Sequence, residues 1–281
     1  MDKLNFLKMH GTANDFIMIN GIDNKNYNYK ILAQKLCKRH YSIGADGLII
    51  LLNSEKNKND FKMKIINSDG SEAEMCGNGI RCLTHFIKYL NLSKKNSFKI
   101  ETKAGIIKTK VIEYNDSLCT IKVNMGKEDF KAENIPVKIE DNEEIIDYEI
   151  KAANKKFIIT SLSMGNPHTV IFVDKLKNIE LEKWGRAIES HYLFPEKTNV
   201  EFIEVENLSE VNMEVWERGS GRTLACGTGA CASVAAAVKK GLVNNHVYVN
   251  LAGGILKIDW SKENIYMTGD SKIVFKGQVR I

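Results

Sequence analysis

Two cysteines of this chain sit in near-identical settings 150 positions apart, in Cys76-Gly77-Asn78-Gly79 and Cys226-Gly227-Thr228-Gly229. Each precedes an apolar, helix-like run, so each thiol is expected at the N-terminal end of a helix. There the helix dipole favours an anion, which lowers a thiol's pKa and makes the thiolate accessible. One such cysteine reads as a nucleophile. Two in equivalent positions of a duplicated chain read as an acid and a base facing each other across one substrate. That pair can take a proton from one face of a carbon and return one on the other. A single glycine-rich helix start is an ordinary structural feature; its repetition turns the reading toward chemistry.

The α-proton of an amino acid is of very low acidity. Removing it calls for pyridoxal phosphate, a metal, or desolvation with hydrogen bonding. The sequence carries no sign of a pyridoxal lysine, no CxxC pair and no cluster of metal ligands, so the expected cofactors are none and the expected metal is none. The cofactor-free route needs an acid and a base, donors for the charge that builds on the substrate carboxylate, and a dry site. Cys76 and Cys226 supply the first. Backbone N–H groups of Gly77, Asn78, Gly227 and Thr228 supply the second at the helix starts, with Asn78 and Thr228 offering capping oxygens.

Polar clusters flank both motifs. Asn67-Ser68-Asp69-Gly70-Ser71-Glu72 and Glu217-Arg218-Gly219-Ser220-Gly221 each follow a strand-like run. Taken singly each is a turn; their matched placement before a cysteine makes a pocket wall the better reading. Arg218 can fork onto a carboxylate, and Glu217 can bind an ammonium or tune Cys226. Gly165-Asn166-Pro167-His168 and Pro195 to Asn199 are also turn-like. A lone histidine is bland, but His168 beside a thiol can take its proton.

The elements that hold these residues repeat as well. Met63–Asn67 and Met213–Glu217 each begin 13 residues before their cysteine. His40-Tyr41 recurs as His191-Tyr192, Gly105–Lys108 as Gly254–Lys257, and Asn14 ahead of Phe16–Ile19 as Asn166 ahead of Val170–Val173. Several echoes in one order at nearly constant offset mean two copies of one unit. Alternating or short apolar runs predict strands at Lys3–Lys8, Phe16–Asn20, Leu48–Leu52, Phe61–Ile66, Phe98–Thr102, Ile106–Glu113 and Leu118–Val123. Helices are expected at Ile31–Arg39, Gly79–Leu90 and Gly229–Lys240, the last two largely buried. Many strands and one apolar helix per half predict an α+β fold with a sheet wrapped on a central helix. The junction is expected near Gly126–Lys138, and Glu140–Glu144 reads as a solvated acidic turn.

Composition bounds the rest. The chain has 281 residues, 43% hydrophobic and 27% charged, which allows a full core. Net charge is +5, but the basic residues are scattered, which favours a lysine-rich surface over nucleic-acid binding. The opening residues lack a signal-peptide pattern, and the longest small-apolar run, Ala230–Val238, is far short of the roughly 20 residues that span a bilayer. The expectation is a cytoplasmic protein with reduced thiols and no membrane partner. Cys37, Cys82, Cys119 and Cys231 read as buried small hydrophobes.

Assembled, these residues resemble the diaminopimelate epimerase family nearly end to end. The likeness runs through His10–Phe16, Gly44–Gly47, Asn67–Ser71, Cys76–Cys82, Met164–His168, Thr198–Phe202, Trp216–Gly221 and Ala225–Gly229. The resemblance implies cofactor-free interconversion of LL- and meso-diaminopimelate, on the path to lysine and peptidoglycan. It implies two pseudo-symmetric tandem-repeat domains, each a β-barrel-like sheet around a central helix, with the site in the cleft between them. The domains would be 1–126 with 272–281 returning to it, and 127–271. Cys76 and Cys226 match the catalytic thiols, with His168 and Glu217 as proton partners. Gly77, Asn78, Gly227 and Thr228 match the carboxylate cradle, and Asn14, Asn67, Asn166, Asn199 and Arg218, with Glu217, the shell that holds the substrate. Gly47 stands where some members carry glutamine. The partner is then a small-molecule substrate, with a homodimer left open.

Three rivals give different expectations. A proline racemase or hydroxyproline epimerase shares the paired cysteines but needs a small apolar ring pocket, against which the asparagine and arginine set argues. A cysteine-nucleophile hydrolase needs one reactive thiol, so loss of Cys76 or Cys226 would have unequal effects. A non-catalytic amino-acid-binding protein would keep its affinity without either thiol.

Overall fold

Leu48–Leu52 is apolar at every position because the strand that contains it is covered on both faces. Leu48 and Ile50 pack with Leu32 and Leu36 of an outer helix, while Ile49 points the other way, toward Gly79 of the central one. The computed structural model describes residues 3–22, 27–139 and 144–281. Residues 140–143 of the acidic stretch lie outside this set, and Glu144 pairs with Lys239 at 2.8 Å.

The chain divides into two units, Met1–Asn124 with Thr268–Ile281, and Met125–Met267. These bounds stand a few residues from the 126/127 and 271/272 of the sequence reading, for a physical reason. Met125 already donates to Ile265 at 2.9 Å, inside the second unit. The last strand, β17 (Ile265–Arg280), runs unbroken through the second boundary.

Unit 1 comprises β1 (Lys3–Gly11), β2 (Asn14–Asn20), α1 (Tyr29–Leu36), β3 (Gly47–Asn53), β4 (Phe61–Asn67), β5 (Glu72–Ala73), α2 (Gly77–Tyr89), β6 (Ser97–Thr102), β7 (Gly105–Tyr114) and β8 (Leu118–Asn124). Its strands close a ring. β1 pairs with β2, β2 with β3 in parallel, β3 with β4, β4 with β6 in parallel, β6 with β7 and β7 with β8. The end of the chain fills the remaining place: β17 pairs with β8 and, antiparallel, with β1. Closure leaves no open edge. Inside lies α2, buried from Gly77 to Ile87. Helix α1 packs on the outer face and ends at Leu36 rather than at Arg39. Arg39 is drawn away from the helix by two carboxylates, Asp15 at 2.6 Å and Asp46 at 2.8 Å.

Unit 2 repeats the plan with β9 (Tyr148–Ala152), β10 (Lys155–Ser163), β11 (Pro167–Phe172), α3 (Leu181–Glu189), β12 (Asn199–Asn207), β13 (Glu210–Glu217), β14 (Gly221–Arg222), α4 (Gly227–Lys239), β15 (His246–Leu251), β16 (Gly254–Trp260) and the start of β17. As β2 and β3 are in unit 1, β11 and β12 are parallel, and so are β13 and β15. The closing member is the extended segment from Met125. It bonds Ile265 at one side and, through Asp129, Ser163 of β10 at the other. The central helix α4 is alanine-rich and buried, which lets the strands approach it closely. It ends on Gly241 at φ +69°, whose N–H bonds Val238 O at 2.9 Å, a left-handed stop that a glycine adopts without strain. α3 covers the outer face through Leu181, Trp184 and Ile188, packed on Val200, Phe202 and Trp216. The fold class is α+β. Among the described residues no helix is long and apolar enough to cross a membrane.

Candidate active site

Both motif cysteines occupy the N-cap of a central helix. Cys76 precedes α2 with extended backbone, φ −143°, and its sulfur accepts the Gly79 N–H at 3.4 Å. Cys226 precedes α4 at φ −122°, and its sulfur accepts the Gly229 N–H at the same distance. The sulfur is thus the capping atom, where oxygens of Asn78 and Thr228 were expected. The Thr228 hydroxyl lies 3.5 Å from the Cys226 sulfur instead, and the Asn78 amide is used elsewhere. Gly77 and Asn78, and Gly227 and Thr228, open the first turns, where a helix supplies no acceptor for its own N–H groups. Such N–H groups form an anion cradle.

In unit 1 the thiol of Cys76 donates to Asn14 Oδ1 at 3.5 Å, and Asn78 Nδ2 donates to the same oxygen at 3.3 Å. Asn14 is oriented from behind, because its Nδ2 donates to Asp46 at 2.7 Å. Asn78 is held by Arg81, a fully buried guanidinium that also donates to Thr12 Oγ1 at 2.6 Å and to Gly77 O at 3.1 Å. Thr12 and Ala13 form the two-residue turn between β1 and β2, both at positive φ (52° and 62°). That turn sets the strand twist but is costly for residues with a side chain, and the Arg81 bond to Thr12 helps to hold it. Asn67 is exposed, with its amide on Ser71 at 3.0 Å. Gly47 sits in β3 across from Asn67, where a β-carbon would lie 3.0 Å from Ile66 O.

Unit 2 carries a buried histidine–carboxylate pair and a second carboxylate beside its thiol. His168 Nδ1 and Glu201 Oε1 lie 2.7 Å apart with neither side chain reaching solvent. Asn166 Oδ1 stands 3.0 Å from the other ring nitrogen. Glu217 takes a hydrogen bond from Thr223 and one from the Cys226 thiol. Burial raises the Glu217 pKa above the ordinary carboxylate value, and the Glu201 charge adds to it against those hydrogen bonds. Burial, then the Glu217 and Glu201 carboxylates, push the Cys226 thiol well above its usual range. The sequence expectation of a lowered thiol pKa at this helix start is therefore corrected for Cys226. The helix end favours the thiolate, but desolvation and two carboxylates outweigh it, and Cys226 stands as the thiol.

The arginine loop is fixed by backbone bonds. Arg218 N–H donates to Asn199 Oδ1 at 3.0 Å, and Asn199 Nδ2 donates to Pro167 O at 2.8 Å. Next to it, Gly219 N–H donates to Glu189 at 2.9 Å, and the same carboxylate takes Trp216 Nε1 at 2.7 Å. The exposed Arg218 guanidinium reaches Glu196 O at 3.3 Å.

A sequence model of the diaminopimelate epimerase family matches residues 6–131 and 160–274. A diaminopimelate epimerase of Halothermothrix orenii is 53% identical over 280 residues, covering 99% of each chain. One of Carboxydothermus hydrogenoformans is 51% identical, covering 98% of this chain and 99% of its own. The chain belongs to the diaminopimelate epimerase family. It is accordingly an enzyme, an isomerase of the epimerase class. A crystal structure of a hydroxyproline epimerase from Agrobacterium vitis superposes with TM-score 0.72 at 14% identity, covering 99% of this chain and 92% of that one. At that identity the likeness is one of fold. The matched stretches of the diaminopimelate epimerase model carry both cysteine motifs and leave out 132–159, which includes β9.

Four residues in these networks were given no role by the sequence: Asp46 behind Asn14, Arg81 behind Asn78 and Glu201 behind His168, which lie within the motif stretches, and Glu189 behind the arginine loop, which lies outside them. Glu201 also leaves a local signal, a carboxylate between the apolar Val200 and Phe202 of β12.

Proposed function

We propose that this chain interconverts LL- and meso-2,6-diaminopimelate without a cofactor, in the cytoplasm, on the path to lysine and peptidoglycan. Cys76 and Cys226 serve as thiolate base and thiol acid on opposite faces of the reacting α-carbon. The observation that carries the reading is the pair of capping thiols, each at the start of a buried helix and each inside its own polar shell, in a chain of this family. The first-turn N–H groups of Gly77, Asn78, Gly227 and Thr228 receive the substrate carboxylate at the reacting centre, where charge builds as the proton leaves. Asn14, Asn67, Asn166, Asn199, Glu217 and Arg218 hold the rest of the molecule. The far amino-acid head decides which end is presented, since a substrate without it would leave these polar groups unpaired.

The environment of Cys226 supports a division of labour. With its proton held, Cys226 is the donor; when it must act as base, its proton passes to Glu217, the carboxylate it already touches. His168 is the second proton partner. The test is incubation of reduced protein with LL-diaminopimelate in D₂O, without added cofactor, followed by NMR. Deuterium entering one α-centre together with meso product is expected. Folded, reduced protein that exchanges no α-proton would overturn the assignment.

A further inference from the structure

Glu201 is a fully buried carboxylate, and such a group is costly unless paired. It stands on β12 between Val200 and Phe202, which pack toward α3, and itself faces α4. The repeat shows what the fold alone requires there. His168 lies opposite Asn199 in the β11–β12 ladder as Phe16 lies opposite Gly47 in the β2–β3 ladder. Glu201 therefore corresponds to Ile49, and His168 to Phe16. An apolar pair completes unit 1; unit 2 carries a hydrogen-bonded ionisable pair at the same places. Even the helix is fitted to it, because a β-carbon on Gly229 would fall 2.6 Å from Glu201 Oε1. The second carboxylate oxygen has no hydrogen-bond partner, so the one bond to His168 is the anchor. The positive end of α4 supports the charge.

We propose that Glu201 is a positioning residue for the proton transfer: it accepts the Nδ1 proton of His168 and thereby leaves Nε2 as the nitrogen that exchanges protons. This rests on the role given to His168 above. The balance is simple. Neutral His168 keeps its proton on Nδ1, toward Glu201, and takes a second on Nε2 from a catalytic thiol. The imidazolium then stands against the Glu201 carboxylate, and the Nε2 proton returns to the thiolate. Asn166, beside Nε2, can offer its oxygen to the protonated nitrogen or its amide hydrogen to the bare one. The titratable groups facing the pair are Glu217 on β13 and Cys226 at the start of α4.

The test has two arms. Nitrogen-15 NMR of the His168 ring in the wild-type protein should show Nδ1 protonated, its proton far downfield and moved upfield in Glu201→Gln. With diaminopimelate, Glu201→Gln should lose about 10- to 100-fold in kcat with KM changed less than about threefold, and one limb of the kcat–pH profile should move to lower pH. Glu201→Asp should recover part of the loss, and Glu201→Ile, the residue of unit 1, should not. A merely structural role would lower the melting temperature and leave the pH profile in place. A bare Nδ1 in the wild type, or a Glu201→Gln variant with unchanged kcat and profile, overturns the proposal. If Glu201→Gln does not fold, the wild-type ring spectrum decides alone. Wild-type protein inactive on diaminopimelate would overturn the proposed function instead, and the ring spectrum would still settle the His168–Glu201 bond.

Discussion

A β-carbon added to Gly229 would stand 2.6 Å from Glu201 Oε1 and 3.2 Å from the Cβ of Cys226. The glycine of the second cysteine motif thus leaves the space that a buried carboxylate occupies beside the thiol's cap. Its counterpart Gly79 meets the tip of an aliphatic chain instead, Ile49 Cδ1 at 2.8 Å.

Gly229→Ala should therefore be the more damaging of two matched substitutions. An overpacked site costs about 1–3 kcal/mol. At Gly79 the Ile49 tip can turn aside, whereas at Gly229 the methyl displaces a hydrogen-bonded carboxylate. We expect Gly229→Ala to lower kcat by at least about tenfold beyond Gly79→Ala, as one misplaced proton partner would. Steady-state kinetics with urea melts of both variants check this; equal losses of activity would contradict it.

Single replacement of Cys76 or Cys226 by alanine should each abolish net epimerisation, by roughly 10³-fold or more, since a two-base exchange needs both groups. Effects differing by orders of magnitude would favour a single nucleophile. Retained substrate affinity with no turnover in the wild type would favour the binding-protein alternative. Product formation and isothermal titration measure the two.

Glu217 has a folded pKa above its ordinary value, with burial as the main cause. The sign follows from linkage. The folded state binds this proton more tightly than the unfolded state, so the contribution is full below the ordinary carboxylate range and is lost as pH rises through the raised value. Glu217→Gln, which cannot ionise, should raise the urea midpoint at pH 8 and give no gain near pH 4, while kcat falls. Removing the charge also lifts one of the causes that hold Cys226 up, so Cys226 should alkylate faster with iodoacetamide in this variant. Cys37, Cys82 and Cys119, all pushed up to about 12 by burial, should stay unlabelled in the native protein. Peptide mapping by mass spectrometry reads both.

Arg81→Lys should destabilise the protein by about 2–4 kcal/mol. A lysine cannot reproduce the fork that serves Thr12, Asn78 and Gly77, and the acceptors would be left buried and unpaired. KM should rise as well, because Asn78 at the helix start loses its anchor. Denaturant unfolding and kinetics at saturating substrate separate the two effects; a wild-type urea midpoint would contradict the first.

Much of this molecule was written locally. The strand-like runs of the first half appear as β1 to β4 and β6 to β8, with ends shifted by up to three residues. The glycine-rich starts put both cysteines at helix N-caps, because small residues and a following apolar run are enough to begin a helix there. The duplication announced that one plan is used twice. Local patterns of period and propensity sufficed for these features because short-range sterics and burial of one face decide them.

The electrostatic character of the second thiol was decided by tertiary structure alone. His168, Glu201, Glu217 and Cys226 come from three neighbouring strands and a helix start, separated by up to 58 positions in the chain. Whether a helix end lowers a thiol's pKa or carboxylates and burial raise it depends on which groups the sheet brings within a few ångströms. The strand partners likewise became definite only in three dimensions: Thr268–Ile281 closes the first ring and the segment from Met125 closes the second. Local propensity says that a segment is extended; only the closing of a hydrogen-bonded ring says which strand lies beside it, and Coulomb energy, which depends on distance in space and on burial, follows from that choice.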